Sequence, residues 1–152
     1  MAESDALYFM QCAFSLAKTA FEFNEVPVGA VVVKDTKIIG RGFNRVINDL
    51  SVSSHAEINA INNASMNIGN YRLNNCDLFV TLEPCHMCAK AIVDARINHL
   101  YYGALEPKTG AIESIDHFLA RTDLNHRVSF EGGLMSANSS ELLKKFFQSK
   151  RN

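Results

Sequence analysis

From Asp5 to about Phe23 apolar residues recur at helical spacing, at Leu7, Met10, Phe14, Ala17 and Phe21. A period near 3.6 gathers them on one face, so the segment predicts an amphipathic helix. The pattern then changes. Val28 to Val33 is β-branched and almost continuously apolar, which reads as a strand, and Lys34-Asp35-Thr36-Lys37 turns it into a second strand over Ile38 to Asn44. Helical spacing returns from Ser54 to about Met66. Asp77 to Leu82 predicts a buried strand, Cys85 to Ala95 a third helix, and Ile97 to Gly103 another strand. A short helix near Ile115 to Arg121, a strand near Arg127 to Glu131 and a terminal helix from about Ser139 complete the series. This alternation predicts an α/β fold, a layered sheet of about five strands with helices on both faces.

No linker, repeat or low-complexity stretch interrupts the order, so residues 1–152 read as a single domain large enough to bury one core. A composition of 47% hydrophobic and 20% charged residues excludes disordered and fibrous classes. No apolar run is long enough to span a bilayer, so no membrane is expected as a partner. The start, Met1-Ala-Glu-Ser-Asp5, is acidic and lacks the basic flank of a signal peptide. The expected location is therefore cytoplasmic and reducing, where cysteines serve as metal ligands or core residues rather than in disulfides. A net charge of −1 is not the footprint of a strongly basic nucleic-acid binder. The tail from Glu141 to Arg151 does concentrate basic residues, a pattern that a solvated helix face explains more often than a binding surface.

The chemistry lies in two short motifs, His55-Ala56-Glu57 and Pro84-Cys85-His86-Met87-Cys88. Each half has an ordinary reading. Ser54-x-x-Glu57 fits a capping box, His55 alone is more often a packed or exposed histidine, and Cys85-x-x-Cys88 fits a redox pair. Jointly the motifs favour a zinc site. His55, Cys85 and Cys88 provide three ligands and leave a fourth position open, the arrangement of catalytic rather than structural zinc. Each half is predicted at a helix start, where partial positive charge favours thiolates and hydroxide. Glu57, two residues beyond His55, does not share its helical face and is free to act as a proton shuttle beside the metal. Cys12, Cys76, His86, His99, His117 and His126 form no second cluster of ligand spacing.

At these motifs the chain resembles the tRNA-specific adenosine deaminases of the bacterial TadA type, within the zinc-dependent cytidine and deoxycytidylate deaminase superfamily. His-x-Glu and Pro-Cys-x-x-Cys mark only the superfamily. Asn70-Tyr71-Arg72-Leu73, Lys108-Thr109-Gly110-Ala111 and Phe146-Phe147 with a basic end narrow the resemblance to the tRNA enzymes. It implies a cytidine deaminase-like three-layer α/β/α fold with a mixed five-stranded sheet. It further implies hydrolysis of the wobble adenosine of a tRNA anticodon to inosine, with one Zn2+ per subunit and a homodimer. By the same resemblance His55, Cys85 and Cys88 hold the metal and Glu57 is catalytic. Asn44, Val28 and Ala56 contact the flipped adenine, while Phe147, Lys150 and Arg151 meet the anticodon stem-loop. Arg45, Arg72 and Lys108 are further candidates. The chain departs from the family pattern at Ser51-Val52-Ser53-Ser54, Lys90 and Glu106. The alternatives are a free nucleobase deaminase acting on guanine or cytosine, and a non-catalytic zinc-stabilised RNA-binding module. The intact Glu57 argues against the module, and His55 at the first ligand position against cytidine deaminases.

Overall fold

The computed structural model describes residues 1–151. The chain runs α1 (Glu3–Glu22), β1 (Gly29–Lys34), β2 (Lys37–Phe43), α2 (Ala56–Ile68), β3 (Cys76–Leu82), α3 (His86–Asp94), β4 (His99–Ala104), a 3-10 turn (Phe118–Ala120), β5 (Ser129–Gly132) and α4 (Ser136–Lys150). The strands form one sheet in the order β2-β1-β3-β4-β5. β1 lies antiparallel to both β2 and β3, whereas β3, β4 and β5 run parallel, so the sheet is mixed as expected.

The apolar run of β1 is continuous because both faces are covered. Its pleat sends Ala30 and Val32 into one core and Val31 and Val33 into the other. Leu78 and Val80 of β3 and Leu100 and Tyr102 of β4 join the first core, beneath α2 and α3. Phe79 and Tyr101 join the second, where their rings stack at 4.3 Å beneath α1. α4 packs beside α1, with Phe146 edge-on to Phe21 at 5.7 Å.

The buried face of α1 differs from the expected one. Ala6, Phe9, Met10, Ala13, Ala17 and Ala20 are buried, while Leu7 is exposed and Phe14 and Phe21 are only partly covered. Size decides this. A Cβ on Gly29 would lie 2.1 Å from the carbonyl oxygen of Ala13, so helix and strand backbones touch where only small side chains fit. The same device seats α2 on β2, where a Cβ on Gly42 would lie 2.4 Å from the Ala60 nitrogen.

Three boundaries also move. The expected helix near residues 115–121 is one 3-10 turn, and β5 begins at Ser129, just after the core residue Val128. α4 begins at Ser136, a turn earlier than expected, after Gly133 (φ 100°) and Met135 (φ 58°) reverse the chain in left-handed conformations. Its polar first turn carries no apolar period from which a start could be read.

Candidate active site

Two helix starts meet at a candidate metal site. His55 is the N-cap of α2 and Cys85 the N-cap of α3, both in extended backbone conformations, and Cys88 lies in the first turn of α3. Neither cap residue makes a side-chain capping bond to its helix, so both side chains can turn to the site. Nδ1 of His55 lies 3.7 Å from Sγ of Cys85 and 3.5 Å from Sγ of Cys88. A tetrahedral ion with metal–nitrogen bonds of about 2.0–2.1 Å and metal–sulfur bonds of about 2.3 Å needs nitrogen and sulfur about 3.6 Å apart. The three side chains therefore fit zinc in both chemistry and spacing, with all ligand atoms within 4.8 Å of one another.

The electrostatics agree with that donor set. A hydrogen bond from Cys88 outweighs the effect of burial and, helped by His55, holds the Cys85 thiol down at about 4. Cys88, the donor in that bond and more deeply buried, is pushed up instead.

The capping-box reading of Glu57 does not survive. Ser54 precedes the N-cap and donates its hydroxyl to Oδ2 of Asp49 at 2.8 Å, while Glu57 sits inside the first turn of α2. Glu57 is only 4% exposed, and burial pushes its carboxyl up to about 7 despite bonds to backbone N–H. A carboxyl poised near neutrality can both take and return a proton. Both sulfurs turn toward His55, which suits a shared metal better than a cysteine pair acting alone.

Val28, Asn44, His55, Glu57 and Cys85 line one cleft of about 400 Å³. Asn44 is fixed from two sides: its backbone N–H donates to the Val28 carbonyl at 3.1 Å, and its Oδ1 accepts the Ala56 N–H at 2.7 Å. With Oδ1 held toward the Ala56 N–H, the side chain keeps its Nδ2 protons available to a ligand. Ala56 is fully buried outside the cleft lining, and its N–H donates to Asn44.

The other expected residues lie outside the cleft lining. Phe146 and Phe147 divide their work: the first is 5% exposed in the core, the second 47% exposed. Lys150 and Arg151 are exposed at the same end of α4, where Lys150 donates to Oδ1 of Asn24 at 3.2 Å. That bond brings the basic tail beside the segment that enters the cleft through Glu25 and Val26. Arg45 lies over the rings of Phe23 and Phe43 at 5.8 and 5.6 Å. Arg72 and Lys108 are exposed, the latter one residue from the cleft-lining Thr109. Lys90 pairs with Asp94 at 2.7 Å on the surface of α3.

Two acids of the cleft escaped sequence reasoning. Glu25 is 2% exposed and accepts the N–H groups of Ile47 at 3.2 Å and Asn48 at 2.7 Å. Glu83 is equally buried and accepts N–H groups from Glu106 at 3.0 Å, Ile112 at 3.1 Å, Glu113 at 2.7 Å and Ser114 at 2.9 Å, besides the Ser114 hydroxyl. The available signal was an isolated acid abutting an apolar run, Glu25 before Val26-Pro27-Val28 and Glu83 after Leu82.

Residues 3–104 match the model of the cytidine and deoxycytidylate deaminase zinc-binding region, which includes the whole metal site. The chain belongs to this deaminase family. The deaminase is 45% identical over 148 residues to the tRNA-specific adenosine deaminase of Agrobacterium fabrum, covering 97% of each chain. It is 46% identical over 143 residues to that of Haemophilus influenzae, covering 93% of this chain and 83% of the relative. A structure solved in a study of A-to-I editing by tRNA:A34 deaminases at the wobble position superposes with a TM-score of 0.86 at 45% identity, covering 89% of this chain and 98% of that one. The guanine deaminase of Bacillus subtilis is more distant, with a TM-score of 0.64 at 30% identity, covering 100% of this chain and 95% of that one.

Proposed function

We propose that this deaminase hydrolyses the wobble adenosine of a tRNA anticodon to inosine, releasing ammonia. The observation that carries the reading is the zinc-type triad with Glu57 set in a chain that matches tRNA-specific adenosine deaminases at 45% identity over 97% of its length. His55, Cys85 and Cys88 would hold one zinc per subunit. When bound, zinc supplies a nucleophile at neutral pH by lowering the pKa of water from about 15.7 to about 7.

This chain's own residues supply the rest. Asn44 donates from Nδ2 to a ring nitrogen of the flipped adenine, and Val28 packs on the base. Glu57 takes the proton of the attacking water and passes it to the adjacent ring nitrogen. It then takes the remaining proton from the hydroxyl added to the ring carbon and delivers it to the departing amino group, so ammonia leaves and the oxygen stays on the ring as the carbonyl of inosine. Proton transfer of this kind is worth about 10²–10⁴-fold.

A base inside a duplex or a stacked loop has to be swung out before it reaches such a cleft. Phe147, Lys150 and Arg151 form the RNA-facing end of α4, with an aromatic for stacking and cations for phosphates. Exposed apolar residues at Met66, Ile68 and Met87, near the ends of α2 and α3, suit a homodimer contact. A cytoplasmic location completes the reading.

Incubating the zinc-loaded protein with an anticodon stem-loop and, separately, with guanine, cytosine and adenosine tests the function. The reading expects inosine in the RNA and no turnover of the free compounds. Guanine or cytosine turnover without RNA editing would replace it with the free-base alternative.

A further inference from the structure

The cleft has a wall that the chemistry alone does not explain. Val46 and Ile47 form one side of it, on the irregular segment between β2 and α2. This segment includes Leu50 in a left-handed conformation (φ 51°) at 92% exposure, so little apolar packing holds it. Bonds within the segment shape it, among them Arg45 N–H to the Ser54 carbonyl at 2.9 Å and Ser51 N–H to the Val46 carbonyl at 3.0 Å, and Glu25 ties it to the end of α1. Oε1 accepts the Ile47 N–H at 3.2 Å, and Oε2 accepts the Asn48 N–H at 2.7 Å and the Asn48 Nδ2 at 2.6 Å. The same Nδ2 reaches the Phe23 carbonyl at 3.0 Å. Glu25 is itself anchored to the end of α1, its N–H donating to the Ala20 carbonyl at 2.9 Å, and its side chain also lines the cleft. A helix end thus reaches through one carboxylate to the irregular side of the substrate site.

We propose that Glu25 is a positioning residue that fixes the Val46-Ile47 wall of the cleft and thereby sets how tightly the target base is held. The proposal rests on the adenosine deaminase reading and adds to it a residue that touches neither the metal ligands nor the reacting atoms. Burial pushes this carboxyl up, but the N–H and side-chain amide of Asn48, the Ile47 N–H and the nearby Arg45 outweigh it and hold the group below its ordinary value. A wall touches the base equally before and during reaction, so loosening it removes uniform binding and raises KM rather than lowering kcat.

Glu25→Gln keeps the volume and one acceptor but sets an amide N–H₂ against N–H donors. Glu25→Ala removes all three bonds. The test combines amide hydrogen exchange with inosine kinetics on an anticodon stem-loop, using zinc-loaded full-length protein. In Glu25→Gln, exchange at Ile47 and Asn48 is expected to speed up at least about tenfold, with protection in β1 and β3 unchanged. KM is expected to rise about tenfold while kcat stays within about twofold, and Glu25→Ala shifts both readouts further in the same direction. Unchanged exchange at Ile47 and Asn48, or a fall in kcat at constant KM, would overturn the proposal. If the wild type edits no RNA at all, the functional reading fails, while the exchange data still decide whether Glu25 holds this wall.

Discussion

Replacing Glu83 with alanine removes the acceptor around which residues 106–114 fold. Four backbone N–H groups and the Ser114 hydroxyl converge on its two oxygens, and the side chain is 2% exposed. A hydrogen bond to a charged group contributes about 1.5–3 kcal/mol. Five such bonds on one carboxylate do not add, because they share two oxygens and water enters the vacated space. Stranding a buried N–H donor costs about 1–3 kcal/mol, and because water entering the vacated space meets most of the five donors, the net loss is about 3 kcal/mol. For a chain of this size that lowers Tm by about 6–12 °C. The pH dependence carries its own signature. Burial pushes the Glu83 carboxyl up, but the N–H groups of Glu113, Glu106 and Ser114 and the Ser114 hydroxyl outweigh it and hold it below its ordinary value of 4.5. Its stabilisation is therefore complete above about pH 4.5 and is lost as pH falls through the lower folded value. Glu83→Gln lacks that dependence, so its stability deficit against wild type shrinks on acidification. Urea midpoints at about pH 7 and about pH 3, with the slope checked for constancy, measure both effects. A loss below about 1 kcal/mol near pH 7, or a deficit that does not shrink in acid, refutes the reasoning.

Three further outcomes follow from named residues. Gly29→Ala places a Cβ 2.1 Å from the Ala13 carbonyl oxygen, so α1 shifts and thermal unfolding shows a loss of about 2–3 kcal/mol; an unchanged Tm contradicts the close approach. Cys88→Ala removes a fully buried ligand and weakens zinc binding at least about 100-fold in a competitive chelator titration, whereas near-native affinity would remove Cys88 from the metal site. Removing Lys150 or Arg151 weakens RNA binding and reduces the slope of log K against log salt by about 0.7 for each phosphate that is no longer neutralised. A slope equal to wild type would take these residues out of the RNA interface.

Much of this architecture is legible in the order of residues, and the exceptions have physical causes. The β1 run from Ala30 to Val33 announces a strand covered on both faces, and the alternation of Val31 and Val32 between two cores follows from the pleat. The face of α1 is misread because hydrophobicity points to Leu7, Phe14 and Phe21, while the close approach to Gly29 selects alanines. The His55, Cys85 and Cys88 cluster is legible because the residue types and spacing a metal requires are set by coordination chemistry. Glu25 and Glu83 are not, because their partners are backbone N–H groups of distant loops, and a backbone N–H has no sequence identity. The orientation of Asn44 is hidden for the same reason, since its Oδ1 is met by the N–H of Ala56. Ser54 mimics a capping box only until Asp49, five residues earlier, is seen to take its hydroxyl.

The central claim is that Glu57 moves protons beside a zinc it does not hold. Wild type and Glu57→Ala, each assayed for zinc content and then for inosine formed in an anticodon stem-loop, test it most directly. The expected result is equal zinc and a loss of at least about 100-fold in turnover for the variant. A Glu57→Ala protein with full zinc and near-normal inosine formation contradicts it.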